Sequence, residues 1–220
     1  MISVESKWTI IAIVFFTYFL VSWVYKRLEV VNLEKALLIR NGLRLLNLKH
    51  SLGIVLFGVL FYIIFPELRD LITNIEVPRL ELLLSFVVLT ILSAMISRIS
   101  VKRIIQTEGG NSHYKFSNAW LYFIIRFVFL FCYEFFFRGV LLFSLLEYFN
   151  PTYAITLSVI AYLVIHLFDS KKEIIGAIPF GIVLCILAYQ TQSIWYVFTM
   201  HLALSAVYEI SIFYHQTLKT

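Results

Sequence analysis

Charge is what this sequence has least of. Asp, Glu, Lys and Arg make up 14% of its 220 residues, where a soluble domain carries about a quarter. Hydrophobic residues reach 61% and the mean hydropathy is +0.89. Too little polar surface exists to cover a globule in water, which excludes an ordinary soluble enzyme. Cysteine is also scarce. Cys132 and Cys185 both lie in apolar stretches and no Cys-x-x-Cys occurs. A disulfide framework and a finger-type metal site are therefore excluded, and the two read as small packing residues. Internal repeats and low-complexity tracts are absent as well. The net charge of +5 comes from basic residues scattered through short loops, with no basic tract to bind nucleic acid. Such residues set topology beside anionic lipid.

What is present is long apolar runs punctuated by charge, the pattern of membrane-spanning helices. The runs predict an all-α polytopic membrane bundle with spans at about 8–25, 51–66, 81–97, 118–147, 151–167, 174–190 and 193–214. The first is too long for a signal peptide and is followed by Lys26 and Arg27 rather than a cleavage site. The fourth exceeds one crossing at 1.5 Å per residue, so it protrudes, bends or is two helices. That gives seven spans, or eight if it divides. Lys and Arg between spans number six, two, four, none, two and none, with one at the C-terminus. This alternation predicts an external N-terminus and a cytoplasmic C-terminus. Residues 31–49 mix apolar and basic residues at helical spacing and suit a helix in the cytoplasmic headgroup layer, or a plain loop helix packed on the bundle. TEGGNSH (107–113) reads as a flexible loop.

Ionisable residues inside a bilayer are costly and are functional candidates by default. Away from the span ends these are Arg126, Glu134, Arg138, His166, His201 and Glu209. Glu134 and Arg138 stand four apart on one helical face, with three Phe between them to keep the surroundings dry. Two charges there should neutralise each other, so Arg138 reads as a structural partner. Glu134 reads equally as ion-pair partner or working acid. His166 closes an apolar helix in Tyr162-Leu-Val-Ile-His166. His201 lies deep in its span after Ser193-Ile-Trp195, with Ser205 and Glu209 one and two turns further on the same face. Glu209 is explained by snorkelling or a basic neighbour. His50, His113 and His215 lie in polar or terminal stretches and read as surface residues.

The order Glu-x-x-x-Arg-Gly, aromatic-x-x-x-His, Ser-x-Trp and His-x-x-x-small-polar resembles the CAAX-protease and bacteriocin-processing family (CPBP, or Abi) over about residues 118–214. The resemblance implies a core at 113–220 behind N-terminal membrane helices at 1–112. It also implies a multi-pass protein of the bacterial plasma membrane that cuts a peptide or membrane-protein substrate. In such an enzyme a glutamate and a histidine activate water, and a second histidine with an Asn-like residue stabilises the oxyanion. Glu134, Arg138, Tyr162, His166 and His201 fall on motif positions. Two residues depart from the pattern. Tyr133 stands where the family has its first Glu, usually taken as the general base, and Ser205 stands for the terminal Asn. A phenol with a reference pKa of about 10 is a poor base at neutral pH. Serine still donates a hydrogen bond, with shorter reach.

Glu134, His166 and His201 could together ligate zinc, although no HExxH is present and the sequence requires no cofactor. Two further readings stand beside the protease. One is a family member without activity that serves as a membrane scaffold or immunity protein, motivated by Tyr133 and Ser205. The other is a small transporter, motivated by Arg126, Glu134 and Glu209. Repeated halves and Gly/Pro-broken helix pairs, which transporters commonly carry, are missing. Nothing in the residues sets an oligomeric state.

Overall fold

The computed structural model describes residues 4–107, 114–115, 119–169 and 171–217. Seven helices in it are long and apolar enough to cross a membrane: α1 (Val4–Arg27), α2 (Gly42–Ile64), α3 (Leu80–Thr107), α4 (Trp120–Leu146), α5 (Pro151–Phe168), α6 (Lys171–Thr191) and α7 (Ile194–Thr217). No strand occurs among the described residues. The protein is a multi-pass helical membrane protein, as the apolar runs predict.

The long fourth stretch is a single helix at the centre of the bundle. Buried residues make up 83% of the most apolar part of α4, against 11% for α3. Its sequence explains the position: Arg126, Glu134 and Arg138 cannot face lipid cheaply, so the helix that carries them is surrounded by the others. Its α-helical course is interrupted by a π-helical segment, Phe135–Leu141, which starts directly after Glu134. A second π segment, Ile54–Val59, lies in α2. The two segments meet, with Phe57 stacked on Phe136 at 4.5 Å and Phe61 packed on the same ring at 5.2 Å. Gly58 permits the approach, because a Cβ there would stand 2.3 Å from the Cys132 sulfur.

Short loops fix the helix ends. Asn150 caps α5 by accepting from the Tyr153 amide at 3.1 Å, and Pro151 supplies a first helical position that needs no donor. Lys7 of α1 reaches Glu147 beyond the end of α4 at 2.5 Å. The α6–α7 turn is clasped to the segment before α3. There the Ser193 hydroxyl donates to Asn74 O at 2.6 Å, the Trp195 indole to Ile72 O at 2.7 Å, and the Tyr196 hydroxyl to Glu76 O at 2.9 Å. The Ser-x-Trp motif thus holds a loop, and with it the start of the helix that carries His201.

Two expectations need correcting. Residues 42–49 open the spanning helix α2, and the only separate helix in the connection is Leu33–Leu37. Lys49 lies over the Tyr18 and Tyr25 rings, and the short helix buries Leu33, Ala36 and Leu37 in the bundle, as the loop-helix reading expects. His50 is no surface residue: it is 6% exposed and its ring stacks on Phe129 at 4.7 Å. His215 is exposed, as expected. His113 and the TEGGNSH loop beyond Thr107 lie outside the described residues. Cys132 and Cys185 are free and buried.

Candidate active site

Three helices bring the polar centre together. Glu134 is the last α-helical residue of α4 before the π segment, and Arg138 sits within that segment. Both are 0% exposed. Arg138 Nη1 lies 3.3 Å from Glu134 Oε2. The other carboxylate oxygen, Oε1, contacts Nδ1 of His201 on α7. One carboxylate is thereby shared between a guanidinium and an imidazole, each on its own oxygen. A lone carboxylate in this setting would be very expensive. Arg138 is the counter-charge placed beside the Glu134 carboxylate, which in turn fixes the orientation of the His201 ring.

Aromatic residues complete the enclosure. The Arg138 guanidinium carbon sits 4.0 Å from the centroid of the Tyr162 ring on α5. A desolvated cation–π contact of this kind contributes about 2 kcal/mol. Gly181 on α6 leaves room for the stack, since a Cβ there would come within 3.3 Å of Tyr162 and 3.6 Å of Arg138 Nη2. Phe180, its neighbour, presents its ring edge-to-face to His201 at 5.3 Å.

His166 belongs to a different pair. It opens the 3-10 turn that ends α5, with Nδ1 3.2 Å from Asp169 Oδ2 and its side chain 21% exposed. Its ring packs edge-on against Tyr162 at 4.3 Å and parallel to Tyr133 at 6.3 Å. Tyr133 and Tyr162 form an aromatic wall around it, and the Tyr133 hydroxyl is buried without a hydrogen bond. The residue at the family's first-acid position therefore supplies ring surface, not a carboxylate. Sequence reasoning missed Asp169. Its i,i+3 spacing from His166 was the available signal.

Among the described residues, no group of three or more His, Cys, Asp and Glu side chains is placed to hold a metal ion. Glu134 and His201 supply two donors, and His166 is not brought to them as a third. The residues present do not fit the three-ligand zinc site that Glu134, His166 and His201 could have formed. Ser205 lies one turn beyond His201 at the edge of burial. Glu209, a turn further, accepts from Arg126 Nε and from the Tyr122 hydroxyl, each at 2.8 Å. This is the basic neighbour anticipated for Glu209.

A helical membrane bundle with a dry acid–imidazole–guanidinium cluster at its centre is the class of protein these observations define. Residues 115–207 match the family model described as type II CAAX prenyl endopeptidase, Rce1-like, which bears out the resemblance read from the motifs. The matched stretch contains Tyr133, Glu134, Arg138, Tyr162, His166, His201 and Ser205. No curated protein and no solved structure gives a significant match.

Proposed function

We propose that this protein is a membrane endopeptidase in which Glu134 and His201 act as one water-activating pair. The observation that carries the reading is the contact of the Glu134 carboxylate with His201 Nδ1 inside the bundle. A carboxylate on Nδ1 holds the proton there and leaves Nε2 free to accept another, the arrangement of an oriented general base. A water oxygen attacks the scissile carbonyl carbon as its proton passes to His201 Nε2. The tetrahedral intermediate then collapses, the C–N bond breaks, and the imidazolium returns that proton to the leaving nitrogen. Ser205, one turn from His201 on the same helix, is the donor for the developing oxyanion, while His166, paired with Asp169 at the end of α5, stays outside this reacting centre. Arg138 holds the second oxygen of the Glu134 carboxylate and Tyr162 carries Arg138, so both are positioning residues. Peptides or membrane proteins are the substrate class. The excess of Lys and Arg in alternate loops supports an external N-terminus and a cytoplasmic C-terminus.

A second reading is favoured by one observation, the tyrosine at position 133 with its unpaired hydroxyl. In that reading the fold is kept as a scaffold and catalysis is lost. A single experiment separates the two. Purified protein in lipid nanodiscs is offered a panel of peptides, with and without C-terminal lipid, next to Tyr133→Glu and Glu134→Gln. The endopeptidase reading expects cleavage by the unmodified protein and its loss in Glu134→Gln. Cleavage that appears only in Tyr133→Glu would establish the scaffold reading.

A further inference from the structure

The polar residues on α4 and α7 form two facing stripes. On α4, Tyr122, Arg126, Leu130, Glu134 and Arg138 recur every four residues; on α7, His201, Ser205 and Glu209 do the same. The helices run antiparallel, and the stripes meet at two points. Glu134 contacts His201, and Arg126 with Tyr122 holds Glu209 at 2.8 Å. Eight residues separate Glu134 from Arg126, and eight separate His201 from Glu209. That is about 12 Å on each helix, so a single alignment satisfies both contacts. Leu130, fully buried, stands at the level of Ser205 between them.

We infer that the Tyr122–Arg126–Glu209 cluster is a register clamp that positions His201 against Glu134. Its polarity is the reverse of the first contact: the acid is on α4 at position 134 and on α7 at position 209. A slip of α7 by one turn brings Glu209 level with Leu130 or with Tyr122, and in either case away from Arg126. His201 is then carried one turn from Glu134, to Arg138 or to Leu130 respectively. Each wrong register leaves a buried carboxylate without a cation, which is the costly state. Buried polar pairs of this kind are best attested as devices that fix helix register. The clamp lies two turns from the dyad and touches no reacting atom, so its residues act through His201. The inference rests on the Glu134–His201 pairing proposed above.

The test reads His201 directly as well as through activity. The full chain in nanodiscs is treated with diethyl pyrocarbonate, and carbethoxylation of His201 is followed by peptide mass spectrometry. Arg126→Gln and Glu209→Gln are compared with the neutral double variant Arg126→Gln/Glu209→Gln and the charge swap Arg126→Glu/Glu209→Arg. Both singles are expected to raise the rate of His201 modification about tenfold and to lower kcat by a similar factor at unchanged KM. The charge swap should return both toward the parent values. Singles that fold and keep His201 protected at the parent rate would overturn the clamp. If the singles fail to fold, a folded charge swap with unprotected His201 does the same. Loss of protection in the singles, when no protein in the set cleaves peptide, would sustain the clamp and remove the endopeptidase reading instead.

Discussion

The two histidines of the core sit in opposite environments. His201 meets a carboxylate that is wholly buried, backed by an equally buried arginine, on the central helix. His166 meets an aspartate three residues along its own chain, at a helix end where both side chains keep a quarter or so of their surface. The first pair joins separate helices across the interior, while the second is local and reachable by water. The difference teaches where charge is decisive in this fold. Removing one member of the first pair strands a charge in a dry interior, whereas removing one of the second exposes a group that solvent can take up.

The largest effect follows from breaking the interior pair. Glu134→Ala leaves the Arg138 guanidinium buried with no counter-charge, which costs about 3–5 kcal/mol. A lowered thermal unfolding temperature in detergent, and little folded protein recovered, is the expected outcome. Removing the platform comes next. Tyr162→Leu withdraws the cation–π surface 4.0 Å from Arg138 and leaves a partial void, for a loss of about 2 kcal/mol, read by the same unfolding measurement. Gly58→Ala drives a methyl into Cys132 Sγ, where the π segments of α2 and α4 meet. A loss of about 1–3 kcal/mol is expected, with partial recovery in Gly58→Ala/Cys132→Ala. The smallest effect belongs to the outer pair. Asp169→Asn should cost under about 1 kcal/mol, as for other part-exposed ion pairs. An Asp169→Asn loss as large as that of Glu134→Ala would erase the distinction between the two histidines.

Much of this was legible in the residues. Apolar length and loop charge gave the seven spans. The excess length of 118–147, which left protrusion, bending or division open, belongs to one long helix with a π-helical segment. The i,i+4 spacing of Glu134 and Arg138 gave their ion pair. The partner of His201 could not be read, because Glu134 lies 67 residues away and only packing joins them. His166 and His201 fell at different depths along their helices, and the structure keeps them in separate pairs. Residues 42–49 looked interfacial because Lys and Arg dominate any count of polarity. Long basic side chains can lie along aromatic rings inside a span, as Lys49 does over Tyr18 and Tyr25. His50 failed for a similar reason: its neighbours in sequence are polar, but its neighbours in space are Phe129 and Tyr122.

The central claim is that Glu134 and His201 work as a single unit. A kinetic double-mutant cycle tests it most directly, with peptide cleavage in nanodiscs measured for the unmodified protein, Glu134→Gln, His201→Gln and the double variant. Each single should lower kcat by about 100-fold or more, and the double should be no worse than either, because members of one catalytic unit are strongly non-additive. Cleavage undiminished in either single variant, or losses that multiply in the double, would contradict the account.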